Sequence, residues 1–168
     1  MKGDPVELAI RDARQMLGDG ASVKKILTLL VNAAEKVMGE DTVSSILVLD
    51  KDGLLRNGAS PRLPNDYLKA IDGLKPDPNL GTCASVAATG IMVITPDFQA
   101  DDKWAELRHL PLALGFYSAW SVPIKSQEGK VLGTFGTYFR DKKVPRQTDI
   151  DAVNYLAVTA AEALVFKR

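Results

Sequence analysis

The sequence predicts an α+β fold. A central antiparallel sheet carries helices from both ends of the chain on one face, and an irregular, pocket-roofing region covers the other. Three observations carry this reading. Helical periodicity is found at the two ends of the chain. Strand-like runs joined by short Gly-containing turns lie between them. Residues 64–117 are repeatedly interrupted by Pro and Gly. Strands and helices do not alternate as βαβ units, which argues against a parallel sheet.

Val6, Ala9, Ile10, Ala13, Met16 and Leu17 recur at helical spacing, so residues 5–17 are read as a helix that ends at Gly18-Asp19-Gly20. Ser22 is a good N-cap for a second helix with Ile26, Leu29, Leu30, Ala33 and Val37 inward, and Gly39 is its natural stop. Val43 to Leu49 is a strand, Asp50-Lys51-Asp52-Gly53 the turn, and Leu54 to Ser60 the returning strand. Pro64 opens a short helix to about Ile71, and 72–80 is loop. Ala84 to Thr89 is a short helix ended by Gly90, and Met92 to Thr95 a short strand. Lys103 to Leu114 is helical but interrupted by Pro111. Ser118–Lys125 and Lys130–Phe139 form a hairpin around Ser126-Gln127-Glu128-Gly129. Thr148 caps a last helix to about Phe166, with Ile150, Val153, Ala157, Ala160, Ala161 and Leu164 inward.

The 168 residues fit one ordinary domain with a real core. Lys and Arg number 21 and Asp and Glu 21, so no overall basic balance points to nucleic acid as a partner. One cysteine, Cys83, leaves no intramolecular disulfide and no Cys-rich metal site. The N-terminus lacks the apolar run of a signal peptide. No apolar stretch reaches the roughly 20 residues that cross a bilayer, so the expectation is a cytoplasmic domain without membrane contact.

Gly81-Thr82-Cys83, Thr89-Gly90, Pro96-Asp97, Trp104, Gly115-Phe116, Trp120-Ser121-Val122-Pro123-Ile124, and Val131-Leu132-Gly133-Thr134-Phe135 with Tyr138 occur in this order along the chain. Together they resemble a GAF domain, a small sensory module of bacterial signalling proteins. The similarity runs from about Ser22 to Arg168. It divides the chain into a helix at 1–20, serving as a dimerisation or connector segment, and a sensory domain at 21–168. The resemblance implies a pocket on the sheet face opposite the terminal helices. It also implies a place beside an output domain such as a histidine kinase or a cyclic-dinucleotide enzyme.

Relatives with defined chemistry are compared position by position. Bilin-binding members tether the chromophore through a Cys ahead of the Pro-Ile strand. Here that region reads Glu106-Leu107-Arg108-His109, so no covalent bilin is expected. His109 is the only imidazole that could reach a haem. Free methionine sulfoxide reductases use several Cys on this scaffold. Cys83 falls near one of those positions, but a second thiol is absent.

The candidate ligand-binding residues are Cys83, Phe98, Trp104, His109, Phe116, Trp120 and Tyr138. Cys83 begins a predicted helix, where a thiol can have a lowered pKa, and the alternative is a small packed core residue. The turn Gly81 to Ser85 offers N–H groups and hydroxyls for an anion, or else simple helix capping. His109 is a pocket-facing or surface histidine. The aromatic residues either line a cavity or fill the core. Asp101, Asp102 and Glu106 fit the acidic preference of a helix start better than an acidic site. No catalytic set and no metal set is visible.

The leading functional expectation is a non-catalytic sensory domain that binds a small molecule, relays a signal as a homodimer, or both. The alternative is a small redox enzyme or sensor acting through Cys83, like methionine sulfoxide reductase. The homodimer is expected through the terminal helices, using Val6, Ile10, Ala13 and Leu17 with Ala157, Ala160, Ala161 and Leu164. The same stripes could instead bury against their own domain.

Overall fold

The computed structural model describes residues 4–166. Helix α1 (Pro5–Gly18) starts where the Asp4 carboxylate accepts the Val6 N–H at 2.9 Å, with Pro5 in the first turn. Its inward stripe is Val6, Ala9 and Ala13. Helix α2 (Val23–Met38) is capped by Ser22, which accepts the Lys25 N–H at 3.3 Å. Gly39 ends it at φ 108°, a conformation that favours glycine. The α2 stripe of Ile26, Leu27, Leu30, Val31 and Ala34 is buried.

Strands β1 (Val43–Leu49) and β2 (Leu55–Ala59) form the first hairpin. The Asp50 carboxylate accepts the Asp52 and Leu54 N–H groups, both at 2.9 Å, and so closes the turn. Helix α3 (Asn65–Ile71), helix α4 (Cys83–Thr89), strand β3 (Val93–Thr95), a 3-10 turn at Asp102–Trp104 and helix α5 (His109–Ala113) follow. Strands β4 (Ser118–Lys125) and β5 (Val131–Phe139) form the second hairpin, and helix α6 (Gln147–Phe166) ends the described chain.

The five strands make one antiparallel sheet, as the sequence predicts, and their order is β2-β1-β5-β4-β3. Its register sorts the side chains. Val122 faces Phe135 and Ile46 faces Phe135 from the other flank, all on the helix side. Ala119 faces Tyr138 and Val43 faces Tyr138, all on the roof side. Alternation along each strand therefore builds two cores. One lies under α1, α2 and α6, and the other under α3, α4, α5 and the loops.

Two boundaries differ from expectation. Pro111 does not interrupt a helix, because it sits in the first turn of the short α5, where its missing N–H leaves no intrahelical bond unmade. Thr148 lies inside α6 instead of capping it. The helix start is held by Asp149, whose carboxylate accepts the Arg146 backbone N–H at 3.0 Å and the Arg146 guanidinium at 2.8 Å. Among the described residues no helix is long and apolar enough to cross a membrane.

The stripes expected to pair two copies are covered by the chain itself. Ala13 is 1% exposed and Ala160 0%, because α1 packs on both α2 and α6. The outward face of α6 instead shows Tyr155, Val158, Val165 and Phe166.

Candidate functional site

The roof face of the sheet is uneven where small side chains stand in the strands. Ala119, opposite Tyr138, and Gly136, opposite Ser121, lie diagonally across β4 and β5 in this area, and Leu47 borders it from β1. Tyr67 and Ile71 of α3, the Gly81–Ala84 turn, and Trp104 with Leu107 close over this floor. The free space within is about 30 Å³, room for one water molecule. Among the described residues no charged side chain borders it.

The walls are held by buried hydrogen bonds. Trp104 Nε1 donates to Thr82 Oγ1 at 2.9 Å, and Thr82 Oγ1 lies 2.9 Å from Thr95 Oγ1. This chain ties the roof to the start of α4 and to β3. Ser85 Oγ donates to the Pro78 carbonyl at 3.1 Å. The hydroxyls expected to hold an anion or cap α4 are therefore engaged elsewhere, and Thr82 makes no capping bond. The Tyr67 and Tyr138 hydroxyl oxygens stand 2.7 Å apart, with the two rings edge to face. Burial pushes both phenols above their ordinary value.

Cys83 is the first residue of α4, and its thiol points to Ser121 Oγ at 3.7 Å. The lowered pKa expected at a helix start is not found. Burial raises the thiol, and the Ser121 hydrogen bond opposes this only in part. A seven-residue helix supplies too small a field to outweigh the loss of water around the sulfur.

Of the seven predicted ligand residues, the cavity brings together Cys83, Trp104, Trp120 and Tyr138. Trp120 borders it from the strand but belongs to the helix-side core. Phe98 and Phe116 stand one layer back. Phe98 packs on Trp104 with ring centroids 4.5 Å apart, and Phe116 on Tyr138 at 5.2 Å. His109 is exposed at the start of α5 and does not border the cavity. The sequence reading missed Tyr67, whose short helix has too few turns to reveal a face. It also missed Gly136, although a glycine inside a strand is the usual sign of a close approach.

The comparisons with known proteins agree with this architecture. The family description "GAF domain" matches residues 20–165. The chain is 35% identical over 152 residues to the methyl sulfide methyltransferase-associated sensor of Methanosarcina acetivorans. That alignment covers 88% of this chain but only 15% of the sensor's length. Among solved structures, the GAF domain of a phosphoenolpyruvate-protein phosphotransferase from Coxiella burnetii superposes with a TM-score of 0.75 at 16% identity, covering 95% of this chain and 92% of that one. A type II free methionine-R-sulfoxide reductase from Thermoplasma acidophilum superposes at 0.64 with 18% identity, covering 85% and 95%. At such identities the superpositions speak to the fold alone. The match over residues 20–165 decides the family: the chain belongs to the GAF domains.

Proposed function

We propose that this chain is a non-catalytic sensory domain that binds a small molecule in the roof-side cavity and passes the change to an output domain through its terminal helices. The observation that carries this is the placement of the cavity. It lies between α4 and the β4–β5 hairpin, and α6 packs on the other face of those strands. Anything that lifts α4 or bends β5 acts on the seat of α6 through one layer of backbone. The similarity to a sensor protein supports the same reading. The output is a histidine kinase or cyclic-dinucleotide domain. A second copy of the chain pairs through the outward face of α6, at Tyr155, Val158 and Val165.

Native mass spectrometry of the purified chain tests the ligand reading. A bound mass that is released on mild activation supports it. A cavity that stays empty through purification, and through exposure to a metabolite extract, overturns it.

The second reading, redox chemistry at Cys83, has support from the thiol's place at the cavity. Its raised pKa and the lack of a second thiol weigh against it. Assay of methionine sulfoxide turnover, with Cys83→Ala as control, separates the two.

A further inference from the structure

A phenol carries one proton to donate and can also accept. Tyr67 and Tyr138 face each other at 2.7 Å, and one proton is enough to make that bond. Two protons cannot both lie between the oxygens. Tyr67 is 4% exposed and Tyr138 6%, and among the described residues neither phenol has another hydrogen-bond partner. One buried donor is therefore left over, whichever phenol serves as acceptor in the pair.

Among the described residues Trp120 Nε1 is buried without a partner, but its ring packs in the helix-side core. The other side-chain polar groups around the cavity are engaged. Thr82 is held by Trp104 and Thr95, Thr137 Oγ1 lies 3.2 Å from Ser44 Oγ, and Cys83 points to Ser121. The rest of the surface is aliphatic, aromatic or backbone. An anion would lose its water with no cation to face, and a cation would find no carboxylate.

Resting on the reading of this cavity as the ligand site, we infer that it selects an uncharged, mainly apolar molecule with one hydrogen-bond acceptor, held by the hydroxyl proton that the Tyr67–Tyr138 pair leaves free. Burial keeps both phenols protonated at neutral pH, so the donor is always present. The present space of about 30 Å³ admits the acceptor atom alone. The body of the molecule takes the place of Leu74 and Leu80, which border the cavity from the loop between α3 and α4.

Three probes of similar size separate the terms: acetophenone, ethylbenzene and benzoate. Binding to the whole chain is followed through the methyl resonances of Leu47, Ala84 and Ala119. Acetophenone should bind about five-fold tighter than ethylbenzene, the value of one neutral hydrogen bond. Benzoate should bind at least about ten-fold more weakly than acetophenone. Tyr67→Phe and Tyr138→Phe, made singly, should keep the preference for the ketone, since each leaves one hydroxyl. The double variant should bind ketone and hydrocarbon equally.

Equal binding of ethylbenzene and acetophenone to the unaltered chain, or benzoate as tight as the ketone, overturns the inference while leaving the cavity as a binding site. If none of the three probes moves the Leu47, Ala84 and Ala119 signals, the cavity reading fails and this inference with it. The comparison in the unaltered chain decides the matter even if the double variant does not fold.

Discussion

The sulfur of Cys83 rests on Gly136. A methyl group built on Gly136 would stand 3.0 Å from Cys83 Sγ and 3.7 Å from Ser121 Oγ. The first residue of α4 is thus seated on the central strand at the place where that strand has no side chain. Gly136→Ala should push α4 outward and destabilise the fold by about 1 kcal/mol, the overpacking cost exceeding the gain from a stiffer unfolded chain. The same change made in a Cys83→Ala background should be neutral or stabilising. Chemical denaturation of the four proteins in the cycle gives the coupling, and simple additivity would show that the contact does not matter.

Cys83 should react slowly. Burial favours the neutral thiol, so iodoacetamide should modify the folded chain at least about ten-fold more slowly than the unfolded chain at pH 7.5. The rate should rise about ten-fold per pH unit and go on rising beyond the ordinary thiol range, where a free thiol has already levelled off. Labelling as fast as in the unfolded chain would revive the redox reading.

Glu35 makes stability depend on pH. It is 8% exposed, and burial raises its carboxyl above the ordinary value, opposed by the Ser44 N–H and by Arg62. The folded state then holds the proton more tightly than the unfolded one. The contribution of Glu35 is fully present below the ordinary carboxylate value and is lost as pH rises through the raised one. Glu35→Gln keeps an acceptor for the Ser44 N–H, 3.0 Å away in the parent chain. It should melt higher than the parent at pH 7, with the difference vanishing at pH 4. A constant difference at both values would assign the effect to packing.

The outer face of α6 carries the association test. Tyr155 is 64% exposed, Val158 59% and Val165 51%, and these positions follow one another at three and seven residues along one side. Sedimentation at micromolar concentration should show a dimer. Val158→Lys should shift it to monomer by about ten-fold or more in dissociation constant, with the melting temperature of the monomer unchanged. Monomer at all concentrations in the parent chain would remove the homodimer from the functional reading.

The elements of this fold are legible in the sequence where local chemistry decides them. Ser22 and Gly39 bracket α2, and both hairpins follow from Gly-containing turns between apolar runs. The start of α6 is set by a local pair, the Asp149 carboxylate reaching back three residues to Arg146, and the hydroxyl of Thr148 drew the expected cap to the wrong residue. The other differences have tertiary causes. In the site, Cys83, Trp104 and Tyr138 were recognisable, but their relation to Tyr67 spans 71 positions between the two phenols. Phe98 and Phe116 differ from the lining residues only by one layer of packing, which an aromatic residue's identity does not reveal. The small, apolar stripe of α6 expected to pair two copies is buried in its own core, because periodicity does not say what covers a stripe.

The Trp104–Thr82–Thr95 chain has a kinetic consequence. It fastens the roof to α4 and β3 by two buried hydrogen bonds, and the space beneath is too small for anything beyond a water molecule. A molecule larger than that enters only after the fastening lets go. Its observed association rate should therefore level off at high concentration, at the opening rate of the roof, and Thr82→Val should raise that plateau. Under the proposed reading of this cavity as the ligand site, such a domain would respond to how long a molecule persists in its surroundings, and brief pulses would pass before the roof had opened.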